Sequence, residues 1–183
     1  MAHRPLTGVL LVGGESRRFG SPKALVKVGD ETLAERLWRV LGEVCDERIA
    51  VGKAGELELP FAIVDDGSPL RLPLVGVIAG LRAAANDVSV FVPVDCPLVD
   101  AELVRELGES CRDAAVPQTG PLPGAWSKRA LPALERRLAA GGFGLMGAYA
   151  DLDVAELTVD PLRVADADTP EELTRLLGAG QGS

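Results

Sequence analysis

Strand-sized apolar runs alternate along this chain with segments of helical period. Gly8–Val12 is apolar throughout, the pattern of a parallel strand covered on both faces. Thr32-Leu33-Ala34-Glu35 reads as a capping box opening a helix to about Leu41, with Leu33, Leu37, Trp38 and Leu41 on one stripe. Arg48–Val51 and Phe61–Val64 read as short strands, Val75–Ala85 as a helix and Val88–Val94 as the strongest strand of the chain. Asp100 caps a helix through Leu107, with Glu102 in the first turn, where the helix dipole favours an acid. Ala114–Val116 and Gly124–Trp126 follow as strands. Ala130–Ala139 is a helix with Leu131, Leu134 and Leu138 inward, and Thr169-Pro170-Glu171-Glu172 opens the last helix with proline at its first position. The Gly178–Ser183 tail is expected to fray.

This order predicts an α/β fold, a three-layer α/β/α sandwich around a mainly parallel, Rossmann-like sheet, with ligands at the carboxyl ends of the strands. No linker divides it, so residues 1–183 read as one domain with a core of about 6–177. Pro117–Pro123 reads as a surface loop within that domain.

Composition narrows the partners. With 183 residues, the chain can bury a sizeable core. No apolar run is long enough to span a bilayer, and the N-terminus has no apolar core of a signal peptide. The odd set of Cys45, Cys96 and Cys111 has no metal-ligand spacing and suits free thiols in a reducing cytoplasm. A net charge of −8 argues against nucleic acid, which needs a basic face. It does not exclude a triphosphate, because a divalent cation and a local basic cluster can reverse the potential of one cleft.

The chemistry concentrates after the first strand, where Gly13 and Gly14 are followed by Arg17, Arg18, Gly20 and Lys23. Glycines there can take positive φ and let a ligand approach the peptide groups. Their N–H groups form an anion-binding concavity beside the mobile positive charges. The spacing fits neither a P-loop, since no hydroxyl follows Lys23, nor a dinucleotide fingerprint, since G-x-G-x-x-G is absent there. Two further carboxylate sites stand at strand ends. Val92-Pro93-Val94-Asp95-Cys96-Pro97 delivers Asp95 between two prolines that fix the backbone. A hard oxygen ligand there suits Mg²⁺, which takes one or two carboxylates plus substrate phosphates. Asp65-Asp66 ends another strand before a loop leading to Pro73-Leu74-Val75-Gly76. Cys96 reads as a small packing residue.

Leu11-Val12-Gly13-Gly14-Glu15-Ser16-Arg17-Arg18-Phe19-Gly20-Ser21-Pro22-Lys23 resembles L-x-G-G-x-S-x-R-x-G-x-x-K, the signature of nucleotidyltransferases that consume a nucleoside triphosphate and release pyrophosphate. Within that superfamily the chain looks most like the molybdenum cofactor guanylyltransferases, with matching stretches from Gly8 to about Leu177. The resemblance implies a nucleotide-diphospho-sugar transferase (GT-A-like) fold and GTP and Mo-molybdopterin as substrates. It also implies transfer of GMP to the terminal phosphate of the pterin. It assigns nucleotide contacts to Leu11, Val12, Gly13, Gly14, Lys23, Asp95 and one or other of Asp65 and Asp66. Asp95 is the implied Mg²⁺ ligand, and Lys23 and Arg18 the groups that stabilise charge on the transferred and leaving phosphates. Molybdenum insertion proteins or target apo-enzymes are the implied protein partners.

Three positions depart from the family pattern. Leu72 stands where a glycine is usual, Val51-Gly52-Lys53 replaces a segment carrying a base-contacting asparagine, and Asp166 and Asp168 replace two asparagines of N-x-N-T-P-E-D-L. Gly13-Gly14 and the Pro-Leu-x-Gly element side with the guanylyl type over the related cytidylyltransferases. The competing readings are transfer from another nucleoside triphosphate to a small phosphorylated acceptor, and nucleotide binding without turnover.

Overall fold

The computed structural model describes residues 4–13 and 21–180. Strand β1 (Leu6–Leu11) is buried along its whole length because it has neighbours on both edges and helices on both faces. It pairs in parallel with β4 (Glu47–Gly52) and β6 (Val88–Pro93), in a register that sets Leu11 opposite both Val51 and Pro93. Strand β5 (Ile63–Asp65) extends the parallel sheet beyond β4, with Gly52 opposite Asp65. These pairings bring four strands to their carboxyl ends along one rim.

On the other side of β6 lie β8 (Gly124–Ser127), β7 (Ala114–Pro117) and β9 (Val154–Leu157), giving the order β5-β4-β1-β6-β8-β7-β9. Only β8 runs against the rest. A small antiparallel pair, β2 (Lys27–Val28) and β3 (Glu31–Thr32), stands apart and leads into α1 (Leu33–Gly42).

The period of two along the strands divides the core in two. Leu6, Leu10, Val90 and Val92 face α1, α3 (Ala101–Ser110) and α5 (Pro170–Gly180). Val9, Leu11, Phe91 and Trp126 face α2 (Pro73–Ala83) and α4 (Leu131–Ala139). The fold is thus the expected three-layer sandwich around a mostly parallel sheet. Helix α2 lies very close to it: a Cβ on Gly80 would stand 2.5 Å from Phe91 Cε1, so glycine is required by packing there.

Local signals held well. Thr32 and Glu35 form the reciprocal capping box, and Asp100 caps α3 through a 2.8 Å bond from the Leu103 amide. Thr169 and Glu172 cap the start of α5 in the same reciprocal manner. Some expectations shift. Helix α2 begins at Pro73, two residues earlier than predicted, because proline fits the first turn. Helix α5 continues through Gly178 to Gly180, the first half of the tail expected to fray, because Leu173 and Leu176 anchor it to the core; residues 181–183 lie outside the described residues. In α4, Leu134 is fully buried, whereas Leu131 and Leu138 are only partly covered. Strands β2, β3 and β9 are additions to the sequence reading. Each is too short, or too exposed on alternate residues, to show an apolar run.

Candidate active site

At the rim where β1, β4, β5 and β6 end, a cleft of about 280 Å³ opens between the strand ends and the N-terminus of α2. Its floor and walls include Leu11, Gly13, Gly52, Lys53, Asp66, Arg71, Gly76 and Asp95. The start of α2, at Leu72 and Pro73, lines the cleft with no side-chain cap, so the positive end of the helix dipole lies at that wall.

Of the residues read from the glycine loop, Leu11 and Gly13 line the cleft. Val12 does not: its side chain joins the core on the α1 side, and its amide donates to Val51 O at 3.0 Å. Gly13 does not take positive φ as expected of it. Among the described residues a Cβ there would meet only Gly52 Cα, at an ordinary 3.7 Å, so neither backbone conformation nor packing against those residues demands glycine. What remains is room for something in the cleft. Gly14 and Arg18 lie outside the described residues.

Lys23 begins a short helical turn, Lys23–Leu25, fastened by buried Ala24. Its ammonium stands 2.8 Å from Asp168 Oδ1 and 3.6 Å from Asp95 Oδ2, and its side chain is only 11% exposed. Asp95 follows β6, and its carbonyl accepts the Ala167 amide at 2.9 Å, which lays the Asp166–Asp168 segment beside it. Among the described residues, carboxylate oxygens of Asp95, Asp166 and Asp168 lie within 4.8 Å of one another. Burial pushes the Asp95 carboxyl above its usual range, Lys23 pulls it back, and Asp166 and Asp168 push it up again. Among the described residues this group of three carboxylates has the Lys23 ammonium beside Asp95 and Asp168, and its oxygens are close enough together for one divalent cation to bind. Hard oxygen donors so grouped fit Mg²⁺. Cys96 is buried, and burial holds its thiol well above the ordinary range, which agrees with a packing role.

The two acids after β5 separate clearly. Asp65 is exposed and turns outward. It accepts the amides of Gly67 at 2.7 Å and Ala54 at 3.0 Å, which hold its carboxyl below the usual range. Asp66 lines the cleft, with Lys53 Nζ 2.5 Å from its Oδ1. Lys53, Arg71 and the two C-terminal acids were not placed in the site from the sequence. The departures at Lys53, Asp166 and Asp168 from the asparagine-bearing segments were the only signal pointing to them.

The sequence profile of the MobA-like NTP transferase domain matches residues 8–154. The chain belongs to that family. The MobA-like chain is 35% identical to the "Probable molybdenum cofactor guanylyltransferase" of Pelotomaculum thermopropionicum, covering 92% of this chain and 90% of that protein. It is 30% identical to the molybdenum cofactor guanylyltransferase of Desulfosudis oleivorans, covering 89% and 86% of the two. Among solved structures, the molybdopterin-guanine dinucleotide biosynthesis protein A of Archaeoglobus fulgidus shares the fold. Its TM-score is 0.80 at 21% identity, covering 97% of this chain and all of that one. As a family member the chain is a nucleotidyltransferase. Among the described residues, no helix is long and apolar enough to cross a membrane.

Proposed function

We infer that this chain is a molybdenum cofactor guanylyltransferase, moving GMP from GTP onto the terminal phosphate of Mo-molybdopterin. The observation that carries the reading is the meeting of Lys23 and Asp95 at the rim of a glycine-floored cleft. The two relatives that match nearly the whole chain carry that name.

The reaction asks little covalent chemistry of the protein. An oxygen of the pterin's terminal phosphate attacks the α-phosphorus of GTP. The bond from that phosphorus to the oxygen bridging the α- and β-phosphates breaks, and pyrophosphate leaves with the electron pair. Positioning and neutralisation of charge supply the acceleration. Lys23 is held ready to meet the transferred and leaving phosphates, with Arg18 assigned the same role from the glycine-loop pattern. Leu11, Gly13 and Asp66 line the nucleotide's place, and Val12 supports it from behind through its bond to β4. Asp95, with Asp166 and Asp168 beside it, would hold Mg²⁺. When bound there, the ion supplies neutralisation of phosphate charge. Guanine follows from the relatives and from the Gly13-Gly14 and Pro73-Leu74-Val75-Gly76 elements.

The test is pyrophosphate release with Mg²⁺, comparing GTP, CTP, ATP and UTP, each with and without Mo-molybdopterin. Turnover with GTP that depends on the pterin is expected. Preference for CTP overturns the guanylyl assignment, and turnover of no nucleotide overturns the enzymatic reading.

A further inference from the structure

Lys53 enters the cleft from the end of β4, and its side chain is only 13% exposed. An ammonium has three protons to donate, and here three acceptors take them. They are Asp66 Oδ1 at 2.5 Å, the Ser68 carbonyl, and the Leu70 carbonyl at 3.1 Å. All three acceptors belong to the segment that follows β5. One side chain therefore ties the end of β4 to the whole turn that leads into α2.

The consequence for Asp66 is specific. Its Oδ1 is occupied by Lys53 and by the Ser68 amide at 3.0 Å. Among the described residues its Oδ2 makes no hydrogen bond, and the side chain is only 9% exposed at the wall of the cleft. Lys53 has no proton left for a ligand, whereas Asp66 retains one acceptor oxygen. Without Lys53 this carboxylate would lose its one ion-pair partner among the described residues and the bond that fixes its orientation.

We propose that Lys53 is a positioning residue for nucleotide binding. It fixes the Asp66 carboxylate and the 66–70 turn in the orientation that accepts a donor of the nucleotide, touching neither the base nor the phosphates itself. The proposal rests on the reading of this cleft as the nucleotide site. It sets the role of Lys53 apart from that of Lys23, which pairs with Asp95. Loss of Lys53 weakens binding of substrate and transition state alike, so it appears in KM and leaves kcat nearly alone.

The experiment measures nucleotide affinity by titration calorimetry and steady-state pyrophosphate release on the full chain. The variants are K53M, K53Q, K53R, D66N and the K53M/D66N pair. K53M and K53Q should raise Kd and KM for GTP by about tenfold or more while kcat stays within about twofold. K53R, which keeps charge and several donors, should recover most of the affinity. K53M/D66N should bind no worse than K53M alone, because both changes remove one coupled interaction. An unchanged Kd in K53M and K53Q, a fall in kcat at constant KM, or additive losses in the pair would overturn the proposal. A wild type that selects CTP overturns the guanine assignment but leaves the same comparison to be read with CTP. A wild type that binds no nucleotide overturns both.

Discussion

The ammonium of Lys23 meets the carboxylate of Asp168 at 2.8 Å across 145 residues of chain. Asp95 stands near the same ammonium, at 3.6 Å. A lysine so confined needs little reordering to meet a phosphate, and its stem is already covered. Lys23→Ala should therefore lower kcat by about 10²–10³, the range seen when one donor to developing charge is removed. Pyrophosphate release at saturating GTP and pterin, with circular dichroism to verify folding, is the check. Turnover near the wild-type rate would remove Lys23 from the reacting phosphates.

The same cluster makes a prediction about the metal. Ionised Asp95 is disfavoured by burial and by Asp166 and Asp168, and relieved only in part by Lys23. A carboxyl whose pKa rises on folding destabilises the fold once ionised, so a bound cation should stabilise the native chain. At a hundredfold excess over its dissociation constant, Mg²⁺ would add about 2.7 kcal/mol. For a domain of this size that is a rise in Tm of about 5–10 °C. Asp95→Asn should abolish both this rise and Mg²⁺-dependent turnover, while its metal-free Tm stays at or above that of the wild type. A Tm of D95N that still climbs with Mg²⁺ would place the ion elsewhere.

The parts of the site legible in the sequence are those written in a single stretch of chain. Gly8–Val12 is apolar on both faces because β1 is covered on both, and the glycines follow at its carboxyl end. Asp95 could be placed because a long apolar strand must end at the rim. The nearness of Asp166 and Asp168 to Asp95 could not, since a chain reversal made by helices and turns carries no periodic signal. The choice between Asp65 and Asp66 was equally hidden. It depends on the last pairing of a three-residue strand, Gly52 opposite Asp65, which turns one carboxylate outward and leaves the next along the cleft. Lys53 was invisible for a further reason: two of its three partners are backbone carbonyls, which every residue has.

Asp100 links the helix that follows the Asp95 turn to the segment that brings in the other two acids. Its carboxylate caps α3 through the Leu103 amide and pairs with Arg163 through both oxygens, at 2.6 and 2.9 Å. Partial burial works against the ionised form, but the Arg163 guanidinium and the Leu103 amide outweigh it and hold the carboxyl below its usual range. A carboxyl whose pKa falls on folding contributes stability that is full above the unfolded value, about 3.9. That contribution is lost as the pH drops through the lower folded value. Asp100→Ala removes the cap and should cost about 0.5–2 kcal/mol at neutral pH. In urea titrations the gap between wild type and variant should be constant from about pH 7 to pH 5 and shrink as the pH falls below about 4. A gap that persists undiminished at pH 2.5 would mean that the ionised carboxylate is not what holds Arg163 to the start of α3.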